Sequence, residues 1–98
     1  MYARVATFEH ADPAKMQESI DAIRGMSDAG PPPGVVATEL LMLADRAAGK
    51  TLAIVLFPTE ADMRAGHEVF NAMDPAVPDG MGKRTSVEMY EVAVQMRV

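Results

Sequence analysis

Apolar and polar positions alternate along much of this chain, but one run is apolar on both phases. Thr51-Leu52-Ala53-Ile54-Val55-Leu56-Phe57 has strand length. Successive side chains of a strand point to opposite faces. Leu52, Ile54 and Leu56 therefore need one dry surface, and Ala53, Val55 and Phe57 need another. Near the end of the chain Val87, Met89 and Ala93 alternate with Tyr90, Val92, Val94 and Met96 in the same way. The two helices that 98 residues leave room for cover one face of such a sheet, so the second face is expected to meet another copy of the molecule.

The remaining elements follow from local chemistry. Residues 2–9 (Tyr-Ala-Arg-Val-Ala-Thr-Phe-Glu) read as a first strand, rich in β-branched and aromatic types. Asp12-Pro13 is a helix start, with Asp as N-cap and Pro at the first helical position. The helix runs to about Met26, with Met16, Ile20, Ile23 and Ser27 on its apolar stripe and Gly25 weakening its last turn. Asp28-Ala29-Gly30-Pro31-Pro32-Pro33-Gly34 cannot continue a helix and reads as a stiff connection. A second strand is expected over 35–45. The Arg46–Lys50 loop then returns the chain into the third strand, making an antiparallel hairpin. Pro58-Thr59 closes that strand. Thr59-Glu60-Ala61-Asp62 opens a second helix in the manner of a capping box, with Met63, Gly66, His67 and Phe70 facing inward. Residues 74–84 form a turn-rich loop, and a fourth strand occupies about 85–97. The order β-α-β-β-α-β is the split βαβ, or ferredoxin-like, plan: a four-stranded antiparallel sheet with both helices on one face. One domain spans 1–98.

Composition narrows the class. Hydrophobic content is 49%, which fits a globular chain rather than a disordered one. The absence of cysteine removes disulfides, thiolate catalysis and thiolate metal sites. A net charge of -5, with nine Lys and Arg forming no stripe, argues against nucleic acid as a partner. The opening Met1-Tyr2-Ala3-Arg4-Val5 lacks the basic and apolar regions of a signal peptide, and no apolar run is long enough for a membrane span. A cytoplasmic protein is expected. The nine Met read as deformable core filler.

Catalytic motifs are mostly excluded. Gly49-Lys50-Thr51 ends like a phosphate-binding loop, but Ala44 stands where that loop needs its first glycine. His67-Glu68 begins like a zinc-protease helix, but the second histidine position is Asn71. No nucleophile elbow and no dinucleotide fingerprint occurs. No metal is expected. What remains is a set of polar groups on apolar surfaces. His67 is either a boundary imidazole bonded to backbone or a general base facing a helix–sheet pocket. Arg4 and Glu39 suggest a cross-strand or cross-dimer ion pair. Tyr90 is either a packed phenol or a proton donor. His10 reads as a solvated end-of-strand residue, and Lys83-Arg84 beside Gly80 and Gly82 as either an anion-holding loop or solvated surface.

Four segments carry a resemblance to a family. They are Met1–Glu9; Leu41-Met42-Leu43-Ala44-Asp45-Arg46-Ala47-Ala48-Gly49-Lys50; Leu56-Phe57-Pro58-Thr59-Glu60-Ala61-Asp62-Met63; and Val87-Glu88-Met89-Tyr90-Glu91-Val92. The chain resembles the antibiotic biosynthesis monooxygenase-like (ABM-like) proteins of the dimeric α+β barrel superfamily. That resemblance implies two sheets meeting to form a barrel in a homodimer, with the helices outside. Some relatives oxidise aromatic, polyketide-like substrates with molecular oxygen and neither metal nor flavin; others degrade heme. The enzymes carry Asn, Trp, Arg or His in a pocket between helices and sheet. This chain has no tryptophan, and Phe57 stands at the end of the third strand where members often carry Trp. His67 lies in the same helix as the family's functional histidine.

Two readings of function stay open. In one the protein is a cofactor-independent monooxygenase acting on a small aromatic or quinol-like substrate. His67 is then the base, Arg4 or Tyr90 steadies the anion, and Phe57, Phe70, Met63 and Thr7 line the pocket. In the other it is a non-catalytic small-ligand-binding or sensor module. Heme binding or degradation through His67 is a third expectation. No cofactor is expected in the first two.

Overall fold

The computed structural model describes residues 1–26, 29–73 and 80–98. The element order is β1 (Tyr2–Glu9), α1 (Pro13–Gly25), β2 (Glu39–Asp45), β3 (Lys50–Phe57), α2 (Glu60–Ala72) and β4 (Lys83–Glu91). The strands form one antiparallel sheet in the order β2-β3-β1-β4. This is the expected βαββαβ plan, an α+β fold. Right-handed crossovers from β1 to β2 and from β3 to β4 place the two helices on one face.

Both helix starts follow their capping chemistry. Asp12 Oδ1 accepts the Ala14 N–H at 2.9 Å, with Pro13 at the first helical position. Thr59 Oγ1 accepts the Asp62 N–H at 3.1 Å. Each bond satisfies one of the backbone donors that a helix start leaves without a partner. Met16 and Ser19 are the buried positions of α1, and Met63 and Gly66 those of α2. The expected place of Ser27 on the α1 stripe, and the loop at 74–79, fall outside the described residues.

The register sorts the sheet into two faces. Tyr2, Arg4, Ala6 and Phe8 of β1 lie opposite Phe57, Val55, Ala53 and Thr51 of β3, and this set faces the helices. Phe57, fully buried, packs with Val35, Val55 and Met63 as the core, and Tyr2, Ala37, Val69 and Phe70 close it. Helix and sheet approach closely at Gly66, where an added Cβ would sit 2.5 Å from the Phe57 ring. Only glycine fits there. The other face carries Val5, Leu41, Leu43, Leu52, Ile54, Leu56 and Tyr90. None of these seven is buried; Leu41, Leu43 and Tyr90 are exposed outright. The double-sided apolar pattern of β3 therefore has one dry face and one open face within a single chain.

Two strand boundaries differ from the sequence-based expectation. The second strand begins at Glu39, not at residue 35, because the proline run ends in a turn in which the Val35 N–H bonds to the Pro32 carbonyl at 3.0 Å. Val35 instead plugs the core, and pairing begins where the Thr38 N–H reaches the Leu56 carbonyl at 2.8 Å. The fourth strand spans Lys83–Glu91 and stops short of residue 97. It pairs only with β1, which starts at Tyr2 opposite Glu91. One further backbone bond, from the Val92 N–H to the Met1 carbonyl, follows the last paired residues.

Between Thr7 and Phe8 the β1–β4 register shifts: Thr7 faces Ser86, and Phe8 faces Arg84. Thr85 is the extra residue of a β-bulge. Regular alternation from Val87 would send Arg84 to the open face. The bulge turns it to the helix side.

Candidate functional site

Arg4 is 4% exposed on the helix face of β1. Its Nε donates to His67 Nδ1 at 3.0 Å, and Nη2 lies 3.5 Å from Asn71 Oδ1, at the limit of a hydrogen bond. The guanidinium carbon sits 5.1 Å from the centre of the Phe70 ring, within cation–π range. Arg84, delivered by the bulge, donates from Nη1 to the same Asn71 Oδ1 at 2.7 Å. His67 Nε2 is 3.0 Å from Asn71 Nδ2. His67, Phe70 and Asn71 occupy the last two turns of α2, at spacings of three and four residues that put them near one another. Burial, and then the nearby Arg84 charge, hold the Arg4 pKa below its ordinary value. Among the described residues no carboxylate comes within ion-pair distance of either guanidinium; the one ion pair there joins Arg64 and Glu60 on the surface of α2.

The hydrogen-bond direction fixes the imidazole. An arginine Nε always carries its proton, so Nδ1 of His67 is the accepting nitrogen. The ring proton then sits on Nε2, facing an amide nitrogen that also bears hydrogen. In this arrangement His67 has no free lone pair with which to take a proton from a substrate.

The structure gathers Arg4, His67 and Phe70 and places the other expected residues elsewhere. Phe57 of β3 and Met63 of α2 are packed core between helix and sheet. Tyr90 and Thr7 are on the open face, since Tyr90 pairs with Ala3, and Thr7 with Leu52. The sheet thus separates Tyr90 from Arg4 and His67. The Tyr90 hydroxyl donates to Glu88 on its own strand, and that bond raises the phenol pKa above its ordinary value. The expected Arg4–Glu39 pair does not form within the chain: Glu39 faces Leu56 on the open side, while Arg4 faces Val55 on the helix side. His10 is exposed at the strand end with φ of 63°. Gly49-Lys50-Thr51 is part of the hairpin, whose turn is closed by Asp45 Oδ1 accepting the Ala48 N–H at 3.2 Å.

Asn71 is the residue that motif reading passed over. Its place one helical turn after His67 was weighed only as a missing zinc ligand, yet that spacing is what brings the two side chains together. Arg84 carried a signal only as half of a basic pair, because a bulge leaves no mark in the hydrophobic pattern.

A surface hollow of about 260 Å³ lies at the far end of the β2–β3 hairpin, lined by Leu43, Ala44, Asp45, Lys50 and Leu52. It includes none of the Arg4 cluster. Among the described residues no three His, Asp or Glu side chains converge as metal ligands, and no helix is long and apolar enough to cross a membrane. Neither family models nor curated proteins yield a match to this chain.

Proposed function

We propose that this chain is a cytoplasmic ABM-like domain that pairs as a homodimer through its open sheet face and binds a small organic ligand between α2 and the sheet. The Arg4–His67–Asn71–Arg84 cluster supports binding as the primary role. A guanidinium and an imidazole are held in fixed directions against an aromatic ring, which is how orienting groups of a ligand site are arranged. The observation that carries binding ahead of catalysis is the Arg4–His67 bond at 3.0 Å, which occupies the lone pair a general base needs. The same bond, with Asn71 against Nε2, leaves no ring nitrogen ready for heme iron. The uncovered row of Val5, Leu41, Leu43, Leu52, Ile54 and Leu56 supports the homodimer.

The test is a thermal-shift screen with small aromatic compounds, run beside an oxygen electrode. Binding without turnover predicts ligand-dependent rises in Tm with no oxygen uptake. The cofactor-independent monooxygenase reading takes over if hydroquinones are oxidised and His67→Ala abolishes the uptake. One feature favours that second reading: a ligand that draws Arg4 away would return Nδ1 of His67 to use as a base.

A further inference from the structure

Among the described residues between the C-terminal turns of α2 and the start of β4, side-chain hydrogen-bond donors outnumber acceptors. Arg4 offers Nε and Nη2, Arg84 offers Nη1, Asn71 offers its amide N–H groups and His67 offers Nε2–H. Among the described residues two side-chain acceptors answer them, Asn71 Oδ1 and His67 Nδ1. Rotating the Asn71 amide does not help, because it turns N–H groups toward both guanidiniums. An aspartate at 71 would accept from Arg4, Arg84 and His67 together and neutralise a cation. The chain has the isosteric amide instead. Two like charges thus converge on one neutral oxygen, and the bulge at Thr85 is what brings the second of them there.

Beside the charges is an apolar floor. Val87 and Met89 lie opposite Ala6 and Arg4 in the register, on the helix side of β4. Helix α2 packs chiefly on β1 and β3, so β4 is left open and Met89 is 37% exposed. A surface with a cationic end and an apolar strip beside it matches an anion carried on an apolar body. Paired guanidinium N–H groups suit the planar, two-oxygen geometry of a carboxylate.

We infer that the surface where α2 meets β4 binds a small organic carboxylate, its charged end held between Arg4 and Arg84 and its apolar body on Val87 and Met89. This rests on the small-ligand reading above and names the ligand class.

The experiment titrates benzoate and its neutral isostere benzamide into the full-length chain while amide chemical shifts are followed. Benzoate is expected to give saturable shifts at His67, Asn71 and Arg84, with benzamide at least about tenfold weaker. Arg84→Gln, at an exposed position that folding tolerates, weakens benzoate about tenfold, and Arg84→Lys weakens it less. Asn71→Asp is expected to raise Tm and abolish benzoate binding, because it supplies the missing carboxylate from within. Equal binding of benzoate and benzamide at His67, Asn71 and Arg84, or unchanged binding in Arg84→Gln, overturns the carboxylate assignment and leaves the small-ligand reading standing. A lowered Tm with retained binding in Asn71→Asp also overturns the assignment. Absence of saturable shifts with either compound overturns both.

Discussion

The two faces of the sheet are built from equally apolar residues and yet meet different fates. On the helix side, Val55 and Phe57 of β3 are buried against Met63 and Val35. On the other side Leu52, Ile54 and Leu56, their immediate neighbours in sequence, stay partly exposed. The difference is supply: among the described residues, two helices of 13 residues each lie over one face of a four-stranded sheet. Polar chemistry divides the same way. Among the described residues, the covered face holds two guanidiniums with no carboxylate in ion-pair range, and the open face holds the Tyr90–Glu88 pair that satisfies itself. Among the described residues the covered face thus lacks a negative charge beside its arginines, and the open face leaves a row of apolar side chains uncovered.

The largest effect contrasts two adjacent residues. Phe57→Ala opens a cavity in the packed core and should cost about 3–5 kcal/mol of unfolding free energy. Leu56→Ala, on the open face, should cost a lone subunit under about 1 kcal/mol, because the side chain has little buried contact to lose. Urea titrations at two protein concentrations check this. A Leu56→Ala loss that grows with protein concentration would mark the open face as an interface, while equal losses for both variants would break the distinction between the faces.

Next in size is Ile54→Lys, which puts a charge at the centre of the open row. It should yield folded single subunits where the unaltered chain pairs, since the helix-side core is untouched. Light scattering with circular dichroism reads both properties. Unaltered chain that is already monomeric at micromolar concentration would remove the homodimer from the proposal.

How much of this was legible follows the same division. The double-sided pattern of β3 and the caps at Asp12 and Thr59 were readable because each rests on neighbours in sequence. The start of β2 was not: Val35 and Val36 have strand-like side chains, and a turn bond from Val35 to Pro32 overrode them. The end of β4 was misread for a related reason. Residues 92–97 keep an alternating pattern, but a strand needs a paired neighbour, and the ladder with β1 ends at Glu91 opposite Tyr2. The candidate site was legible in its single residues, Arg4, His67 and Phe70, and not as a group. Its convergence depends on a bulge and on tertiary packing, and Tyr90 was drawn to it only because alternation alone does not say which face the helices cover.

A smaller effect concerns Thr51, on the covered face. Its hydroxyl and that of Ser19 are buried with no hydrogen-bond partner among the described residues. Thr51→Val keeps the shape and removes a desolvated polar group, so stability should rise by about 1 kcal/mol. Thermal denaturation checks it. A fall of similar size would mean that the hydroxyl is satisfied after all, and that this side of the core is wetter than the geometry implies.

The smallest effect reports on the open face without altering its packing. The hydrogen bond to Glu88 raises the Tyr90 pKa, so the folded chain holds the phenol proton more tightly than the unfolded chain does. The stabilisation is therefore fully present below the ordinary value of 10.0 and is lost as pH rises through the higher folded value. Tyr2 and Tyr90 are the only tyrosines, so a Tyr2→Phe background isolates the signal in an ultraviolet titration. Glu88→Gln should move the midpoint back down, and an unmoved midpoint would sink the assignment to Glu88. Repeating the titration in Ile54→Lys sharpens the comparison further. If pairing covers Tyr90, its midpoint should fall on separation, because burial also opposes the phenolate; if pairing stops short of β4, the two curves should coincide.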